Sequence, residues 1–88
     1  MIDDILKERG SNYGDFRTQA HISQHLKDVM AITNNWETLE PWQSEALEMI
    51  QHKIARILNG DPNYVDSYRD IAGYATLVCN ILEGKSDD

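Results

Sequence analysis

The chain has 88 residues and a formal net charge of −7. That balance argues against nonspecific attachment to DNA or RNA, whose affinity comes from clustered Lys and Arg on phosphate, and it admits a nucleotide only where a metal bridges the charges. The single cysteine, Cys79, excludes an internal disulfide and a Cys-based zinc cluster.

A reducing, cytoplasmic setting is expected, with no leader segment and no run of about 18 apolar residues to cross a bilayer. At this length a single domain over residues 1–88 hides only about 60–65% of its unfolded surface. The core is thin, and a homodimer or homotetramer is expected to complete it.

In chain order, Asp3 to Arg9 reads as a short helical turn anchored by Ile5 and Leu6 and stopped by Gly10, followed by a loop from Ser11 to Gly14. Tyr13 and Phe16 are expected to clamp that loop to the bundle. Asp15 is a suitable N-cap for a helix running to about Ile32, with Phe16, Ala20, Ile22, Leu26, Val29 and Met30 on its apolar arc. His21 and His25 are four apart, a metal-binding spacing, but lack a third ligand and read as surface histidines.

Thr33 to Glu40 connects this helix to the next, with Trp36 and Leu39 dipping toward the core. Pro41 opens the following helix and Gly60 closes it. Leu47, Ile50, Ile54, Ile57 and Leu58 form its apolar stripe; Glu45, Glu48, His52 and Arg56 form the opposite one.

After a Gly-Asp-Pro-Asn turn, Asn63 is the expected N-cap of the last helix, with Asp66 reaching back to it. That helix runs to about Glu83, with Gly84 as its stop and a loose tail over 85–88. Tyr64, Tyr68, Ile71, Ala75, Val78, Cys79 and Leu82 form its main apolar face, and Gly73 marks a close approach by a helix or ligand. The fold class is all-α: a short N-terminal helical turn plus three main helices.

The chemistry lies in four acids. Glu45 and Glu48 are three apart, Asp66 and Asp70 four apart, and such spacings set side chains side by side on a helix. A hard cation such as Mg²⁺ is commonly held by a few carboxylates and substrate phosphates. Each acid also has a plain structural reading, as a solvated helix-surface carboxylate or, for Asp66, as a cap.

The order Glu45-x-x-Glu48, a gap of seventeen residues, then Asp66 and Asp70 resembles the E-x-x-E, spacer, E-x-x-D signature of the MazG-like all-α NTP pyrophosphohydrolases. ERGSNYGDF, EALEMIQHKIARILNGD and DSYRDIAGYA extend the likeness from Glu8 to about Leu82, and look most like small, mostly phage-encoded MazG-like proteins of largely unassigned function. The motif's third acid falls on Ser67 here, with Asp66 one position earlier.

The resemblance implies a MazG-like bundle completed by self-association. It also implies release of pyrophosphate from a ribo- or deoxynucleoside triphosphate with Mg²⁺ held by Glu45, Glu48, Asp66 and Asp70. Glu45 and Glu48 are then the catalytic pair, and Lys53, Arg56 and Arg69 the phosphate contacts. Arg9, Tyr13 and Gly14 lie in a recurring segment that folds over the ligand. The alternative is a noncatalytic acidic helical oligomer that binds a host or phage protein.

Overall fold

The computed structural model describes residues 1–85; the tail expected at 85–88 lies outside them beyond Lys85. Four helices follow one another: α1 (Ile2–Tyr13), α2 (Phe16–Ala31), α3 (Pro41–Asn59) and α4 (Val65–Leu82), with a 3-10 turn Trp36–Thr38 before α3. No strand occurs among the described residues, and none of their helices is long and apolar enough to cross a membrane.

The local signals act largely as the residue types dictate. Asp15 caps α2 by accepting the Thr18 N–H at 2.9 Å. Pro41 takes the first position of α3, where its missing N–H costs nothing. Gln43 Oε1 accepts the Glu40 N–H at 2.9 Å. Gly84, at φ 78°, follows the end of α4.

Two boundaries differ from expectation. Gly10 does not stop α1, which continues to Tyr13; the Ser11 hydroxyl donates to the Lys7 carbonyl, and Gly14 at φ 77° turns the chain. Asn63 does not cap α4. Its N–H donates to Asp61 Oδ1 in a local turn, Tyr64 is the capping residue, and Asp66 accepts from the Tyr64 hydroxyl at 3.1 Å.

α3 is the central element, with α4 packed most extensively against it, α2 on another side and α1 across its C-terminal end. The α2–α3 contact is polar. Gln19 and Ser23 of α2 are buried with Gln51 of α3, and the Ser23 hydroxyl and Gln51 amide exchange hydrogen bonds of 3.1 and 3.2 Å. Ala46 and Ala55 of α3 and Ser67 of α4 are buried too, side chains small enough for close helix approach.

Large apolar side chains remain outside. No large side chain is fully buried; Phe16 is 76% exposed rather than clamping the first loop, and Leu58, Val29 and Leu82 are also exposed. On α4 the inward side runs through Ser67, Ile71, Tyr74, Val78 and Ile81, while Tyr68, Cys79 and Leu82 are exposed. α4 is apolar around much of its circumference, so hydrophobic spacing alone leaves its rotation open.

Candidate functional site

The polar stripe of α3 supplies the candidate site. Glu45, Glu48, His52 and Arg56 follow one another at intervals of three or four residues; α1 and α2 flank the stripe from Glu48 to Arg56, and Glu45 is exposed. Two cavities result, and His52 lines both.

The first, about 380 Å³, lies where the α1–α2 junction meets α3, with Arg9, Tyr13, Asp15, Phe16, His52 and Arg56 in its wall. The Arg56 guanidinium carbon lies 4.2 Å from the centre of the Tyr13 ring, a cation–π contact. The Tyr13 ring meets Tyr64 edge-on at 5.8 Å. Arg56 Nε is buried and has no hydrogen-bond partner among the described residues.

The wall is held by the backbone. Asn59 Nδ2 donates to the carbonyls of Tyr13 at 2.8 Å and Asp15 at 2.9 Å, and the Asp61 N–H donates to the Asn12 carbonyl at 2.8 Å. A Cβ on Gly14 would collide with the Asn59 backbone, and one on Gly60 with Asn12 and Tyr13. The α1–α2 junction and the end of α3 therefore meet backbone to backbone.

The second cavity, about 210 Å³, is lined by Lys27, Glu45, Glu48, Met49, Gln51 and His52. Lys27 Nζ is 3.8 Å from Glu48, a loose, part-exposed pair worth at most about 1 kcal/mol. Burial, then the charges of Arg56, Lys53 and Lys27, hold the His52 imidazole below its ordinary pKa. His52 is consequently biased to the neutral form; its Nε2 lies 3.4 Å from Gln19 Nε2.

The remaining sequence candidates lie elsewhere. Lys53 is buried and its ammonium contacts Asp70 at 3.0 Å, so each satisfies the other. Asp66 pairs with Arg69 at 3.5 Å on the exposed start of α4. Taking the Lys53–Asp70 contact as a common level of the antiparallel pair, Glu48 lies five residues away from the turn and Asp66 four toward it. At 1.5 Å per residue that separates them by roughly 13 Å along the helix axes.

The four acids therefore do not converge within one chain, and no group of three metal-type side chains is assembled among the described residues. Glu45 and Glu48 by themselves fit the use of one or two carboxylates by Mg²⁺ when substrate phosphates complete its shell. Asp66 and Asp70 do not join that pair.

Sequence reasoning missed the role of Phe16 and Gln19 in the first cavity. Gln19 and Ser23 interrupt the apolar arc of α2 four residues apart, the signal of a polar helix contact. A family described as a domain of unknown function (DUF6378) matches residues 3–82. No curated protein and no solved structure matches the chain.

Proposed function

The chain belongs to the DUF6378 family, and from its site we propose a Mg²⁺-dependent nucleoside triphosphate pyrophosphohydrolase, or a nucleotide-binding relative of one, of the MazG-like kind. One observation carries the reading: an arginine- and aromatic-lined cavity and a paired-glutamate cavity adjoin through His52. That is the order of groups a nucleoside triphosphate needs, a basic and aromatic end for the nucleotide and a carboxylate end for its metal-bearing phosphates.

In this reading Arg9 and Arg56 bind phosphate oxygens and hold the ligand in line. Glu45 and Glu48 hold Mg²⁺, which when bound supplies charge neutralisation and polarisation of a phosphate oxygen. A glutamate of the pair orients water toward the α-phosphorus and takes its proton. The new oxygen–phosphorus bond replaces the bond to the bridging oxygen, and pyrophosphate leaves. Lys53 acts indirectly, by fixing α4 to α3 through Asp70.

Self-association is part of the proposal. The chain exposes 6463 Å², against roughly 5,300 Å² for a folded monomer of its 10.1 kDa mass. The roughly 1,200 Å² excess is sufficient for one partner's share, about 800 Å², of a standard interface. A continuous apolar groove supplies the surface, formed by Met30, Trp36, Leu39, Leu47, Ile50 and Ile54.

A noncatalytic role, as an acidic oligomer that binds another protein, is favoured by the neutralisation of Asp66 and Asp70 within α3 and α4. Melting temperature separates the two. A non-hydrolysable nucleoside triphosphate with Mg²⁺ raises it in the catalytic reading, and Glu48→Gln abolishes the metal-dependent part. A melting temperature indifferent to both across all four bases overturns that reading.

A further inference from the structure

The first cavity, which supplies the nucleotide end of that reading, has a charge balance and an aromatic lining that narrow down which part of the nucleotide it takes. The net charge of −7 predicts a metal bridge for any nucleotide, but locally this wall departs from the overall balance: it brings together two guanidinium groups and one carboxylate, and that carboxylate, Asp15, already accepts the Thr18 N–H. Arg56 carries a buried Nε without a partner among the described residues. That Nε is enclosed by protein, so what Arg56 offers the cavity is the rest of its guanidinium, held on Tyr13, and an anionic acceptor there is matched by a charge-assisted contact.

The aromatic groups divide the work. Tyr13 has one face under the Arg56 guanidinium and its ring against Tyr64, so it serves to position Arg56. Phe16, at the first position of α2 and 76% exposed, is the aromatic surface left for a flat ring. The cavity volume of about 380 Å³ falls at the low end of ligand sites, matching one nucleotide rather than two.

We propose that this cavity is a metal-independent subsite for a nucleoside 5′-monophosphate unit, its phosphate ester against Arg9 and Arg56 and its base over Phe16. The inference rests on the nucleotide reading and assigns the two ends of the ligand: the monophosphate portion on this side of His52, the pyrophosphate portion on the side of Glu45 and Glu48. The monophosphate product then binds without Mg²⁺, and its affinity is set by different residues from those that set turnover.

The test is calorimetric titration of the full chain with nucleoside 5′-monophosphates in EDTA, with backbone amide chemical shifts recorded alongside. Inorganic phosphate and free nucleosides serve as the separate halves of the ligand. Arg9 and Phe16 are both exposed, so Arg9→Gln and Phe16→Ala leave the packing intact.

Monophosphate binding that shifts the Gly10, Gly14 and Phe16 amides, falls at least tenfold in each of these variants and changes less than twofold in Glu48→Gln is the expected result. Each half-ligand then binds more weakly than the whole. Shifts that map elsewhere, an affinity unchanged in both variants, or an equal loss in Glu48→Gln overturn the assignment. Metal-independent binding without any pyrophosphate release overturns only the hydrolase, whereas release with an unchanged KM in Arg9→Gln and Phe16→Ala overturns only the subsite.

Discussion

The Lys53 ammonium lies 3.0 Å from the Asp70 carboxylate, and the lysine side chain is only 11% exposed while the aspartate is 49% exposed. This pair fixes α4 on α3 and withdraws one acid and one base from the candidate site. Truncating Asp70 strands a charge in a nearly dry position, whereas the exposed aspartate tolerates loss of its partner better. Asp70→Ala is expected to cost about 1–3 kcal/mol, between surface and fully buried pairs, and Lys53→Met less. Urea denaturation of both single variants and the double variant checks this; additive losses would show that the two residues do not act together.

Gly14 and Gly73 make opposite predictions for the same substitution. Gly14 holds φ 77° and ψ −167°, and an added Cβ would strike Asn59. Gly14→Ala should cost at least about 1–3 kcal/mol from backbone strain alone and loosen the cavity wall. Gly73 has open space around it in the single chain, so Gly73→Ala should stabilise an isolated helix by about 1 kcal/mol. If that stability gain comes with weakened self-association in sedimentation, the space at Gly73 belongs to a second copy.

The apolar groove predicts that Ile54→Glu, 38% exposed in the single chain, moves wild-type dimers or tetramers to monomers. Sedimentation equilibrium reads this directly. An unchanged mass for Ile54→Glu and for a second variant, Leu47→Glu, would move the interface elsewhere.

His52 gives a pH dependence. Burial first, then Arg56, Lys53 and Lys27, depress its folded pKa below the ordinary value of 6.5. On acidification the unfolded chain therefore takes the proton first. Stability from a neutral His52 is complete above pH 6.5 and is lost as pH falls through the folded pKa. Denaturation curves at pH 7.5 and 5.5 should converge between wild type and His52→Gln at the lower pH; parallel profiles would contradict the assignment.

Much of the architecture was legible because capping chemistry and helical spacing are local. Asp15, Pro41, Gly60 and Gly84 all mark real ends. Gly10 misled because its helical cost, about 1 kcal/mol, is outweighed by the anchoring of Tyr13 through Asn59. The stripe from Glu45 to Arg56 was also legible, but not that α2 would cover it, since Gln19 and Ser23 look like surface residues until Gln51 is placed opposite. The four acids do not converge for a reason of register: with Lys53 opposite Asp70, Asp66 lies four residues toward the turn and Glu48 five residues away from it.

Whether the paired glutamates carry metal-dependent hydrolysis is decided by pyrophosphate release from a panel of ribo- and deoxynucleoside triphosphates with and without Mg²⁺, in wild type and Glu48→Gln. Metal-dependent release from at least one nucleotide is expected, reduced at least a hundredfold in Glu48→Gln with the melting temperature unchanged. No release from any nucleotide, or release equal in the two proteins, would contradict it.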